Sequence, residues 1–271
     1  MAPLTVIQPA GGWGLGRLRE LWASRELLVF LAWRDVSVRY KQTLLGATWA
    51  LVQPVATTIA FSVVFGRLAR MPSDGVPYPL FALCGLLPWM AFAAALNLST
   101  NSVISNAALM TKVYFPRVLA PLASMAPAVV DLLVSLAALG ALLAYYGVFP
   151  GARLLWLPLV LPLPIVCAAG LGVWFAGLSA RYRDIRHVLP FLTQFWMFVS
   201  PVIYPSSAVP ETYRAFYALN PVVGAIEALR WVFLGQGQLN LLPVSSVVAV
   251  ALLLSGIFWF LRVDRSFADV V

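Results

Sequence analysis

The chain has 271 residues, of which 62% are hydrophobic and 10% are charged, and its mean hydropathy is +0.89. A soluble domain is roughly 45–50% apolar and about 25% charged, so this composition excludes a water-soluble protein and indicates a polytopic membrane protein. The formal net charge is +8, which we attribute to loops on the cytoplasmic side of a membrane and not to nucleic-acid binding.

Residues 1–42 are predicted to be a cytoplasmic leader followed by an amphipathic helix. The first sixteen residues contain no Lys or Arg and no apolar core, so we do not expect a cleaved signal peptide. From about residue 24 to 41, a spacing of about 100° per residue puts apolar and charged side chains on opposite faces. Such a helix lies along a membrane surface with its apolar face toward lipid. The apolar face contains Val29, Ala32, Trp33, Val36 and Tyr40.

Residues 43–262 are predicted to form a transmembrane domain of six helices, which makes the fold all-α. Each apolar run contains the roughly 20 residues that a hydrocarbon core of about 30 Å requires. The predicted spans are residues 44–66, 78–98, 118–146, 154–180, 188–204 and 241–261. Six spans put residues 1–42 and the tail, 263–271, on the same side. The segments on that side contain 13 of the 18 Lys and Arg residues, which predicts that both ends are cytoplasmic.

One cytoplasmic segment is predicted to be a helix too short to cross the membrane. Residues 107–115 follow Asn106, a candidate N-cap, and precede Pro116, which ends the helix. From the residues alone, this segment is either an ordinary capped loop or a docking element for another protein.

Residues 205–240 are predicted to form short re-entrant helices on the outer side. Pro210 starts the first helix, and the pair Asn220-Pro221 supplies an N-cap and a first-turn proline for the second, which Gly235 ends. The spacing of Glu227 and Arg230 predicts an ion pair on one face of the second helix. Both helices are too short and too charged to span, so we expect them to dip into the outer interface.

Three stretches carry a resemblance to a known family. The first stretch contains Arg34-Asp35, Arg39-Tyr40, Leu45-Gly46, Trp49 and Pro54. The second is SPVIYP at residues 200–205, and the third is LNP at residues 219–221. Together they resemble the permease subunits of ABC transporters that export polysaccharides such as O-antigen, capsule or teichoic acid. The alternative for the first stretch is a basic flank to any first membrane span, which explains its charges but not the rest of its pattern.

The resemblance implies a bacterial inner-membrane protein that works as a homodimer bound to two ATPase subunits and carries a lipid-linked polysaccharide. It makes the short cytoplasmic helix a coupling helix, and the outer helices a gate. The implied ATPase contacts are Met110, Thr111, Lys112 and Tyr114. The implied outer-gate residues are Tyr204, Asn220, Glu227 and Arg230.

The chain has only two lysines, Lys41 and Lys112, and neither follows a glycine. A phosphate-binding P-loop needs the Gly-Lys-Ser/Thr end of a glycine-rich loop. We therefore expect no enzymatic activity and no cofactor in this chain, with ATP bound by the partner ATPase.

Four residues of the amphipathic helix are predicted to form the substrate entrance, where we expect contacts with membrane lipids too. They are Arg34, Asp35, Arg39 and Tyr40. A lipid-linked pyrophosphate carries negative charge at headgroup depth, and guanidinium groups bind phosphate oxygens bidentately. The spacing predicts that Asp35 pairs with Arg39 and orients it. The alternative is electrostatic anchoring to anionic lipid.

Two aromatic stripes are candidates for the channel lining. Their members are Thr57, Phe61 and Phe65 on the first predicted span, and Phe191, Phe195 and Phe198 on the fifth. Aromatic rings suit the C–H faces of sugars, and the resemblance places these two helices along the export path. The alternative is packing between helices or contact with lipid.

Asp131 is the one ionisable residue deep in a predicted span. Such a residue faces protein or water because lipid exposure is costly. We expect a structural role, with a proton relay as the alternative. A permease of the same fold for drugs or lipids remains an alternative function, as does an ion-coupled carrier or a membrane enzyme, for which Asp131 is the only support.

Overall fold

The computed structural model describes residues 22–41, 48–113, 115–182 and 184–263, and every long element in this part is a helix. The predicted all-α fold is therefore confirmed. The helices in chain order are α1 (Arg25–Lys41), α2 (Trp49–Phe61), α3 (Tyr78–Ser105), α4 (Ala107–Lys112), α5 (Leu119–Ala123), α6 (Ala126–Tyr146), α7 (Leu157–Val160), α8 (Leu163–Arg181), α9 (Ile185–Val199), α10 (Glu211–Tyr217), α11 (Pro221–Leu234) and α12 (Leu242–Val263).

Five helical segments in the described residues are long and apolar enough to cross a membrane. They are Trp49–Leu68, Tyr78–Ser105, Leu119–Tyr145, Gly151–Arg181 and Leu239–Val263. The fifth predicted span, 188–204, coincides mostly with α9, which has 15 residues. A helix of this length measures about 22 Å, short of the hydrocarbon core. The predicted count of six spans is thus not confirmed, because α9 ends at Val199 before the turns that contain Pro201 and Pro205.

The first span changes its winding halfway along. From Ser62 to Leu68, α2 continues as a π-helix, and Pro54 lies within α2 itself. Most of the surface of this span is exposed. Leu45 and Gly46, which belong to the stretch that resembles the family, lie outside the described residues. A lone chain therefore leaves the outer surface of this helix available to a partner or to lipid.

Helix α3 is the centre of the molecule, and α2, α6, α8 and α11 all pack against it. Glycines allow the closest approaches. A Cβ added to Gly172 of α8 would come within 2.6 Å of Ser99 of α3, and one added to Gly170 within 2.7 Å of the backbone of α12. Small residues at such contacts bring helix backbones together, and this packing holds membrane helices in the absence of a hydrophobic effect between them. The helices α3, α8 and α12 therefore form a closely packed slab.

Helix α11 begins and ends where the sequence predicts. The Asn220 side chain accepts a hydrogen bond from the Val222 amide, Pro221 occupies the first turn, and Gly235 ends the helix at a φ of +73°. Nearly every residue of α11 is buried against α3, α12 or neighbouring segments, and its position at the outer side of the membrane stays a prediction. An almost continuous apolar surface on this helix accounts for its burial inside the protein.

Candidate functional site

Helix α1 packs on the protein through a stripe of leucines. Leu31 is buried, and Leu27 and Leu28 lie beside it in a cluster that includes Phe115. Val29 and Trp33, on the predicted apolar face, are 67% and 70% exposed. The helix thus has two apolar surfaces, one bound to the protein and one available to a membrane surface.

Arg34 of α1 forms a bond to the start of α4. Its Nη2 donates to Asn106 Oδ1 at 2.5 Å, while Nε and Nη2 both donate to Asp35 Oδ1, at 2.9 and 2.7 Å. Asn106 occupies the predicted N-cap position of α4, but its side chain does not cap the helix. The side-chain amide of Asn106 donates to the Ser102 carbonyl. The side chain that would have capped α4 instead connects α3 to α1.

One turn further along α1, two side chains converge on Asp131 of α6. Arg39 Nη2 lies 2.6 Å from Asp131 Oδ2, and the Tyr40 hydroxyl donates to Oδ1 at 2.6 Å. The predicted pair of Asp35 with Arg39 is therefore wrong, since each of them pairs elsewhere. Asp131 has partners on a neighbouring helix, as its expected structural role requires. Partial burial and the bond to Asp131 raise the pKa of the Tyr40 hydroxyl, so this hydroxyl remains a donor at any physiological pH.

Two open cavities flank these contacts. One of about 580 Å³ lies between α1 and the end of α3, with Arg34, Asn97 and Asn101 on its wall. The other, of about 360 Å³, is lined by Arg39, Asp131 and apolar residues of α2 and α3. The four predicted entrance residues are thus brought together beside cavities at one end of the bundle.

The short helix predicted on the cytoplasmic side is present as α4, with one face on the protein. Met110 is buried in the cluster that also holds Leu31, whereas Thr111 and Lys112 are exposed. Tyr114 lies outside the described residues. The exposed side of α4 is a surface on which a partner could dock.

The two aromatic stripes differ in their surroundings. Phe61 and Phe65 pack edge to face at 5.3 Å and are partly buried against the core, while the Thr57 hydroxyl donates to the Gln53 carbonyl of its own helix. The stripe on α9 remains open, and its three rings are 52–70% exposed. These rings are Phe191, Phe195 and Phe198. Packing within the chain accounts for the pair on the first span but not for the stripe on α9.

The predicted pair of Glu227 and Arg230 is confirmed at 3.1 Å, and both side chains are buried, with exposures of 3% and 1%. Arg230 also donates to the Val202 carbonyl at 3.1 Å and lies 3.7 Å from the ring centroid of Phe81. The Glu227 carboxylate accepts a hydrogen bond from the backbone amide of Gln238 at 2.8 Å. One ion pair therefore joins α11 to α3, to the turn after α9 and to the segment after α11.

The other two predicted gate residues lie in a second cluster near the turn after α9. Tyr204 donates to the Phe198 carbonyl and accepts from Tyr217, and the Asn220 amide donates to Ser200. Ser200 and Tyr217 were not predicted as gate residues. The order SPVIYP at 200–205 was the only sequence signal for Ser200, and Tyr217 had none.

Comparison with known proteins identifies the family. The family model described as "ABC-2 type transporter" matches residues 26–234. Among curated relatives, the O-antigen export system permease protein RfbA of Myxococcus xanthus is 27% identical over 240 residues, covering 88% of this chain and 91% of the relative. RfbA of Klebsiella pneumoniae is 26% identical over 91% of this chain and 95% of the relative.

A polysialic acid transport protein is also similar. The polysialic acid transport protein KpsM of Escherichia coli is 26% identical over 202 residues, covering 73% of this chain and 77% of the relative. The family match spans most of the chain, from α1 through the buried helix α11, and ends before α12. This multi-pass membrane protein therefore belongs to the ABC-2 type transporter family.

Proposed function

We propose that the chain is the transmembrane subunit of an ATP-driven exporter that moves a lipid-linked polysaccharide out of the cytoplasm. The observation that carries this proposal is similarity over about nine tenths of the chain to permeases named for O-antigen export. KpsM extends the similarity to a second exported polysaccharide. The common feature of these relatives is a polymeric sugar cargo, which favours a polysaccharide over a drug or a lipid alone.

The protein is a multi-pass protein of the bacterial inner membrane with both termini in the cytoplasm. The distribution of basic residues supports this orientation. So does a hydrogen bond of 2.8 Å from Ser207 to Asp74, which joins two loops assigned to the outer side. The bond from Arg34 to Asn106 likewise joins two segments assigned to the cytoplasm.

Two copies of the chain assemble with two ATPase subunits. The exposed side of α4, with Thr111 and Lys112, is the contact for the ATPase. The surfaces that pair the two copies lie on α2 and α9, where Val52, Ile59 and Phe195 are exposed. Apolar surfaces of this kind pack on lipid or on another helix, and a passage between two copies would be lined by the stripe on α9.

The substrate enters beside α1. Arg34 and Arg39 keep side-chain exposures of 35% and 42% in spite of their carboxylate partners. Arg34 and Arg39 both line the first of the two open cavities, and Arg39 also lines the second. A pyrophosphate at headgroup depth can bind there through charge-assisted hydrogen bonds.

Co-purification and export tests check the function. The chain is expressed with the ATPase encoded beside it in a cell that lacks its own polysaccharide exporter, and surface polymer is measured. We expect a stable complex of equal subunit numbers, and export that disappears when the P-loop lysine of the ATPase is replaced. Export that persists without ATP hydrolysis, or a chain that binds no ATPase, would support an ion-coupled carrier instead.

A further inference from the structure

We propose that Asp131 is a positioning residue through which α1 moves α6 during the transport cycle. This inference rests on the proposed function, because it requires an ATPase that acts on α4. Asp131 receives Arg39 and Tyr40 of α1, each at 2.6 Å. The described part of α1 therefore holds α6 by one ion pair and one hydrogen bond to a single carboxylate.

The contacts with α1, and not packing within the span, account for a carboxylate at position 131. Every other side chain of α6 is uncharged. An ionised group in a span is costly, and an apolar residue at position 131 would avoid that cost. Asp131 is only partly buried, with a side-chain exposure of 22%, and the groups facing it from the neighbouring helix are Arg39 and Tyr40. The contact is thus strong and directional, yet accessible enough to break and re-form.

Five residues before Arg39, α1 also contacts the segment that leads into α4. Arg34 is bonded to Asn106, the residue immediately before α4. Five residues of α-helix measure about 7.5 Å, and a helix this short is stiff. A displacement of α4 is therefore passed by Arg34 to α1, and by Arg39 and Tyr40 to α6. This route does not use the backbone connection between α1 and the first span.

A claim of coupling requires an element with two arrangements, and the proposal assigns this role to the contacts at Asp131. When the contacts at Asp131 are intact, α1 and α6 move together. When they are broken, α6 is still held by its packing against α2 and α3 and by the hydrogen bond from Ser135 to the Ala50 carbonyl of α2. ATP-driven motion of α4 would then displace α1 without moving the third span.

The test separates coupling from folding. The variants Asp131→Asn, Asn106→Leu and the double variant are purified as complexes with the ATPase, and ATP hydrolysis and polymer export are both measured. Asp131→Asn should form the complex and hydrolyse ATP within about twofold of the original rate, while export falls about tenfold, the scale of a coupling between sites. Asp131→Glu is the matched control and should retain export.

The double variant tests the route itself. If Asn106 and Asp131 act in one series, export by the double variant should equal that of the poorer single variant, whereas multiplied losses would overturn the proposal. Tyr40→Phe keeps the ion pair between Arg39 and Asp131, so it is a milder variant than Asp131→Asn, and it should lower export. Unchanged export by both Tyr40→Phe and Asp131→Asn would also overturn the proposal that Asp131 couples α1 to α6. If the complex without substitutions shows no ATP-dependent export, the proposed function itself is refuted.

Discussion

Replacement of Arg230 by methionine should destabilise the protein strongly, because it leaves the Glu227 carboxylate buried without its cation. Breaking a buried ion pair from one side costs about 3–5 kcal/mol. The change also removes the bond to the Val202 carbonyl at 3.1 Å and the contact of the guanidinium with Phe81 at 3.7 Å. For a chain of this size, each kcal/mol corresponds to about 2–4 °C in Tm, so Tm should fall by about 10 °C.

The assay is the thermal loss of the monodisperse peak in detergent, measured by size-exclusion chromatography after heating. The matched control is the double replacement of Glu227 by leucine and Arg230 by methionine. This variant buries no lone charge and leaves the Gln238 amide and the Val202 carbonyl without partners, at about 1–3 kcal/mol per group. We therefore expect its Tm to lie above that of the single variant. A double variant whose Tm lies at or below that of Arg230→Met would show that the unpaired charge is not the cause.

Three further predictions follow from the proposed orientation, the entrance and the helix packing. A reporter fused after Val271 should be active in the cytoplasm, and cysteine at Gln236 should react with an impermeant thiol reagent from outside; the reverse pattern would refute the topology. Arg34→Lys together with Arg39→Lys keeps both charges but loses the planar fork, so export at matched protein level should fall about tenfold; export at the original rate would leave both residues as lipid anchors. Gly172→Val should lower the Tm, at a cost of about 1–3 kcal/mol from overpacking against α3, while Gly140→Val, where a Cβ meets nothing within 4 Å, should leave it unchanged.

Local signals in the sequence predicted the short elements well. The cap at Asn220, the stop at Gly235 and the ion pair of Glu227 with Arg230 each depend on residues within one or two helical turns. Such interactions are set by helix geometry and do not need the rest of the fold. The same reasoning placed α1 within one residue of its observed start.

Contacts between distant segments could not be predicted in the same way. Arg39 has two carboxylates within reach in principle, Asp35 on its own helix and Asp131 of α6, and only tertiary packing decides between them. Asn106 has the residue type of an N-cap, but a bond to Arg34 draws its side chain away from α4. The length of α9 was overestimated because apolar residues continue through the turns after Val199 without remaining helical.

The buried pair in α11 also bears on how the protein is inserted into the membrane. In the proposed orientation, residues 205–240 must be translocated, and they contain two acidic and two basic side chains. Each carboxylate lies three residues before its guanidinium partner, in Glu211–Arg214 and Glu227–Arg230. Both pairs can form within a single helical turn, before any packing against α3. Each of the two arginines that must cross the membrane therefore has a carboxylate within its own helical turn, and Arg230 can be paired before α11 is buried.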